Sequence, residues 1–196
     1  MSRRWPTVIE IALLVVLAAG VGRLSNYHSA SPKPGVVDIG FSQDMAVHHE
    51  QAVLMAGLAQ TRGTAAVASL ADAILVNQSQ EIGMTRGWLR LWNEPATDPH
   101  PMAWMPQTHV VRMADTGMVM MPGMATPNQL ERLSRLTGKR FDVLFLTLMI
   151  RHHVGGLQMC QFAHANATLA IVREAATAMA VEQIEDLGQM RALLKE

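Results

Sequence analysis

The chain has 196 residues, with 16 Lys and Arg against 16 Asp and Glu, so its formal net charge is zero and it carries no electrostatic footprint for a nucleic-acid partner. Charged residues make up 16% and hydrophobic residues 49%, which excludes a chain disordered throughout. A single cysteine, Cys160, excludes an internal disulfide and an all-cysteine zinc site, and the 15 Met and 8 His are the imbalance that needs explaining.

At the N-terminus, Arg3 and Arg4 precede an apolar stretch that Arg23 closes. Its uninterrupted core, Ile11 to Gly22, fits the apolar region of an export signal, and counted from Trp5 it is marginal for a bilayer span. We read residues 1–23 as an uncleaved transmembrane anchor, in preference to a cleaved signal or a buried helix. The positive end then lies in the cytoplasm and the remainder outside it. Residues 24–37, with Ser29, Ser31, Pro32, Pro34 and Gly35, read as a linker, and residues 38–196 as one domain.

That domain repeats itself. Asp38, Phe41, Met45, His48, His49 and Met55 recur as Asp142, Phe145, Met149, His152, His153 and Met159, all at an offset of 104 residues. About one such identity is expected by chance in a window of this size. A second block follows each copy at offset 105: Gln78, Glu81, Ile82 and Gly83 match Gln183, Asp186, Leu187 and Gly188.

The elements follow in order. Apolar residues at 41, 45, 52 and 55 mark one face of a helix that breaks at Gly63 and Thr64. An Ala- and Leu-rich helix runs from there to about Trp92. Residues 93–125 form a connector with five prolines and seven methionines, long enough to carry a function or lack order. Thr126, Pro127 and Gln129 give an N-cap, a proline at the first helical position and a capping-box residue for a short helix ending at Gly138. A long helix to about Ala165 and a last one from about Thr168 to Leu194 complete the chain. No segment shows sustained strand alternation. The fold class is all-α: a four-helix bundle of two similar hairpins behind an N-terminal transmembrane or signal helix.

On a helix, Phe41, Met45, His48, Ala52 and Met55 lie near one line, with His49 at its edge, and the second copy repeats the arrangement. Methionine on an apolar stripe is ordinarily core filler. Two His-His pairs in one register are harder to bury, because their ring nitrogens need partners. A metal, or neighbouring carboxylates, would supply them; on the metal reading the candidate ligands are His48, His49, His152 and His153 with Met45, Met55, Met149 and Met159. Thioethers favour Cu(I), while imidazole also suits zinc and iron. A di-iron bundle wants Glu three residues before His, where this chain has Met45, Ala46, Met149 and Ile150, so copper is preferred. Glu81 and Asp186 read equally as acceptors that orient ligating histidines and as solvated helix-face acids. In the connector, the methionines with His100 or His109 can capture Cu(I) for delivery inward, or simply fold over the bundle. Cys160 reads as a buried small residue. The competing readings are a redox enzyme and a bundle in which these faces only pack.

The duplicated motif, Met121-Pro122-Gly123-Met124 ahead of its second copy, and the run from Arg140 to His153 resemble the domain-of-unknown-function 305 family over about Val37 to the C-terminus. The resemblance implies a ferritin-like helical bundle in an exported or membrane-anchored bacterial protein. It further implies a copper-handling role outside the cytoplasm, with the His-His pairs and flanking Met as ligands. Two departures stand out: Val154-Gly155-Gly156 follows the second His pair, and Cys160 replaces a usual Ala.

Overall fold

A computed structural model describes residues 32–106, 111–112 and 119–195. The expected anchor or signal of residues 1–23 lies outside the described residues, as does most of the expected linker. No helix among the described residues is long and apolar enough to cross a membrane.

Four long helices carry the fold: α1 (Val36–Arg62), α2 (Ala65–Trp92), α4 (Gly138–Asn166) and α5 (Ala170–Leu193), with a short α3 (Pro127–Ser134) between the halves. Helix α1 begins inside the expected linker, because the Asp38 carboxylate folds back to accept from the Gly35 amide at 2.7 Å. The expected capping box at Thr126 and Gln129 forms, but α3 ends at Ser134. Gly138 opens α4 instead of closing α3; its φ of +58° suits a residue without Cβ. In the connector, Val111–Arg112 (β1) pairs antiparallel with Val119–Met120 (β2), a two-residue pairing beside an otherwise all-helical fold among the described residues.

Each hairpin is a long helix pair, α1 with α2 and α4 with α5, and the hairpins join chiefly where α1 meets α4. Those two run antiparallel. Asp38, near the start of α1, accepts from the Thr168 and Leu169 amides just past the end of α4, at 3.1 and 2.9 Å. Asp142, near the start of α4, accepts from the Thr64 amide and hydroxyl just past the end of α1, at 3.0 and 2.7 Å.

The core divides in two. Phe41, Met45 and Met159 belong to one apolar cluster, with Trp104 and Met121 of the connector. Met55, Phe141, Phe145 and Met149 belong to the other. Burying a side chain of this size contributes about 1.5–3 kcal/mol. Along both α1 and α4 the histidine pair lies between the two clusters.

Candidate metal centre

All four motif histidines are buried, from 0 to 1% exposed, and so are Met45, Met55, Met149 and Met159. Sequence phase had put His49 at the edge of the apolar face; the neighbouring helix α2 covers it. The antiparallel crossing of α1 and α4 sets His48 against His152, with ring centroids 3.8 Å apart and planes 31° apart. His49 and His153 flank that pair symmetrically, each 6.2 Å from its own neighbour.

Each flanking ring meets an acid of the repeated Gln/acid block. His49 Nε2 lies 2.8 Å from Glu81 Oε2, at an angle outside hydrogen-bond geometry. His153 Nε2 donates to Asp186 at 3.1 Å. The two acids expected to orient histidines therefore reach one each. His153 has an oxygen at both nitrogens, since Nδ1 lies 3.1 Å from the Met149 carbonyl. Of the four rings it is the one whose two nitrogens both lie against an oxygen.

The other three fit a metal. His48 Nε2 donates to the Pro122 carbonyl at 3.0 Å, so Nδ1 carries the lone pair, and nothing accepts or donates there. His49 Nδ1 and His152 Nε2 are likewise buried without a hydrogen-bond partner. A buried unpaired polar atom costs about 1–3 kcal/mol, so these three and His49 Nε2 in one layer are expensive unless an ion uses them. An imidazole that gives one N–H to a fixed oxygen and keeps the other nitrogen bare is the usual form of a metal ligand.

Burial also holds His48, His49 and His152 neutral, the form that binds metal. It pushes His48 and His49 down to about 3, and neighbouring rings add to this: His49 and His153 acting on His48, His153 acting on His49. His152 is held well below its ordinary value by burial and by the other three rings. Burial pushes Glu81 up to about 7, with Asp186 raising it further and His153 opposing. Among the described residues, no three His, Cys, Asp or Glu side chains gather closely enough to hold an ion unaided. The thioethers above and below the histidine layer are then the donors that would complete a site.

The connector closes over this layer. Gln51 makes two bonds to Ala125, accepting from its amide at 2.6 Å and donating to its carbonyl at 3.0 Å. Gly123, at φ +79°, lies against the Arg151 carbonyl and His152 Cα, and a Cβ on Gly155 would strike Pro122. Met102, Met105 and Met121 are buried, so for the described residues the connector is a folded cover. His100 is exposed beside Asp98, and His109 lies outside the described residues. Cys160 is fully buried, as expected, and burial pushes its thiol up. Sequence reasoning missed the Pro122 carbonyl as the partner of His48. Its only signal was the Met-Pro-Gly-Met run.

The family DUF305, a domain of unknown function, matches residues 38–194. A DUF305 protein of Streptomyces coelicolor, inferred to be secreted, is 35% identical with a TM-score of 0.72, covering 81% of this chain and 91% of that one. A DUF305 fragment from Deinococcus radiodurans is 27% identical with a TM-score of 0.70, covering 84% and 99%. CopM in its Cu(II)-bound form is 22% identical with a TM-score of 0.63, covering 81% and 95%, a likeness of fold. Among curated proteins, none matches the chain significantly.

Proposed function

The chain belongs to the DUF305 family, and on that premise we propose that it binds copper, as Cu(I), in the layer where α1 crosses α4. The observation that carries this is the set of four buried imidazole nitrogens without a hydrogen-bond partner, one on His48, two on His49 and one on His152, between two layers of methionine side chains. Imidazole and thioether together select Cu(I) over harder cations. His48, His49 and His152 supply one nitrogen each. His153 joins only if its ring turns from Asp186 or Met149. Met45 and Met159 on one side and Met55 and Met149 on the other supply sulfur. The structural likeness to CopM, known in Cu(I)- and Cu(II)-bound forms, supports the reading.

The role is sequestration or transfer without turnover. Outside the cytoplasm is the place for it, given Arg3 and Arg4 before an apolar run and a relative inferred to be secreted. The N-terminal run holds the domain at the membrane.

The test is an anaerobic Cu(I) competition titration of the whole chain, beside His48→Ala/His152→Ala and the four-His-to-Ala variant. Tight stoichiometric binding in the wild type, with a Cu(I)-dependent rise in melting temperature, is lost in both variants. Equal weak binding in all three would mean that the faces only pack the bundle.

A further inference from the structure

A bound ion needs a route, because every ring of the layer is buried. On the connector side the layer is closed by backbone: the Pro122 carbonyl is bonded to His48, Gly123 lies against α4, and Gln51 holds Ala125. The opposite side is different. A cavity of about 360 Å³ lies between α2 and α5, lined by Gln80, Glu81, Met84, Met179 and Glu182 among others. Its inner wall is Glu81, whose Oε2 lies 2.8 Å from His49 Nε2. The same His49 has an unpartnered Nδ1. One side chain therefore separates the cavity from the histidine layer.

We propose that this cavity is the inlet through which Cu(I) reaches the layer. The inference rests on the copper reading above. Glu182 supplies negative charge at the mouth of a concave surface, which concentrates cations and speeds their capture. Met84, exposed at the mouth, and Met179, buried within, supply thioethers suited to a soft ion. The ion exchanges one donor for the next: the Met84 sulfur, then Met179 and the Glu81 carboxylate, then the His49 ring. No electron moves and no bond within the protein breaks. Methionine here acts as a relay and not as a final ligand, so its removal changes the rate of loading and leaves the affinity alone.

The experiment is stopped-flow anaerobic transfer of Cu(I) from its bicinchoninate complex to the full chain. Glu182→Gln/Met84→Leu removes the charge and the sulfur at the mouth. Ala178→Trp places a bulky ring at an exposed position in the cavity wall without touching its donors. Thr147→Ala, in a separate groove between α3 and α4, is the control. The expected result is loading slowed about tenfold in the first two, with equilibrium affinity and melting temperature unchanged, and wild-type loading in the control. Wild-type rates in both inlet variants would overturn the inlet and leave the copper site standing. An affinity loss matching the rate loss would overturn it too, by making these residues ligands. If the wild type takes up no Cu(I), the copper reading falls and the inlet with it.

Discussion

Asp38 and Asp142 hold the same place in the two sequence copies, and each secures the other half of the molecule. Asp38 accepts from the Thr168 and Leu169 amides ahead of α5, and Asp142 from Thr64 ahead of α2. The first N–H groups of a helix have no partner within it, and a carboxylate there also meets the positive end of the helix dipole. Both aspartates are buried, so deletion leaves amides that water does not readily reach. Asp142→Ala is expected to cost about 2 kcal/mol, read as a lowered urea midpoint, while Asp142→Asn keeps part of it. A midpoint no lower than that of Glu174→Ala, an exposed substitution on α5, would remove this role. The repeat made both aspartates visible in the sequence. Their partners were not legible, because Asp38 reaches 130 positions along the chain to Thr168 and no local pattern encodes that.

Between the halves, the connector is held by polar side chains of α1 that a helix-face count assigns to solvent. Asp44 accepts from the Met102 amide at 2.6 Å and from Trp104 Nε1 at 2.7 Å. Gln43 donates to the Pro95 carbonyl and Gln51 pairs with Ala125. A Cβ on Gly40 would strike Trp104, so the indole lies directly on the α1 backbone. This is why α1 is buried on more than the stripe at 41, 45, 52 and 55. The seven connector methionines were legible as unusual. That Met102, Met105 and Met121 pack was not, since Met adapts to irregular gaps without a periodic signature. Asp44→Ala removes the acceptor of two buried donors and is expected to cost about 2–3 kcal/mol. The loss falls on the cover first: tryptophan emission moves to the red as Trp104 is exposed, and protease cuts around Met102 to Met105 more quickly. Unchanged emission and cleavage would show that the connector is held by its apolar contacts alone.

At the scale of the whole molecule, a duplicated hairpin closes on itself with its histidines at the crossing, and this makes the metal-free protein sensitive to acid. His48 and His49 fall from an ordinary value of 6.5 to about 3, and burial is the main cause. Above pH 6.5 both are neutral folded or unfolded, and they add nothing to the pH dependence. Below it the unfolded chain takes up protons that the folded one refuses, so each ring costs roughly 1.4 kcal/mol per pH unit down to about pH 3. His152 acts in the same direction. Glu81 has the opposite sign. Raised from 4.5 to about 7, it binds a proton in the folded state first, so it stabilises the fold as pH falls from 7 to 4.5 and gives nothing further below that. Down to pH 4.5, Glu81 offsets about one imidazole; below it nothing offsets them. The melting temperature of the metal-free protein is therefore expected to fall from pH 6.5 to 4.5 and by about half as much again per pH unit beneath, because a domain holds only about 5–15 kcal/mol in all. Glu81→Gln removes the offset and steepens the upper limb to match the lower one, which is unchanged. A wild-type profile flat to pH 4 would mean that the imidazoles are open to protons in the folded state. The buried, unpartnered nitrogens on which the copper reading stands would then not be buried in solution.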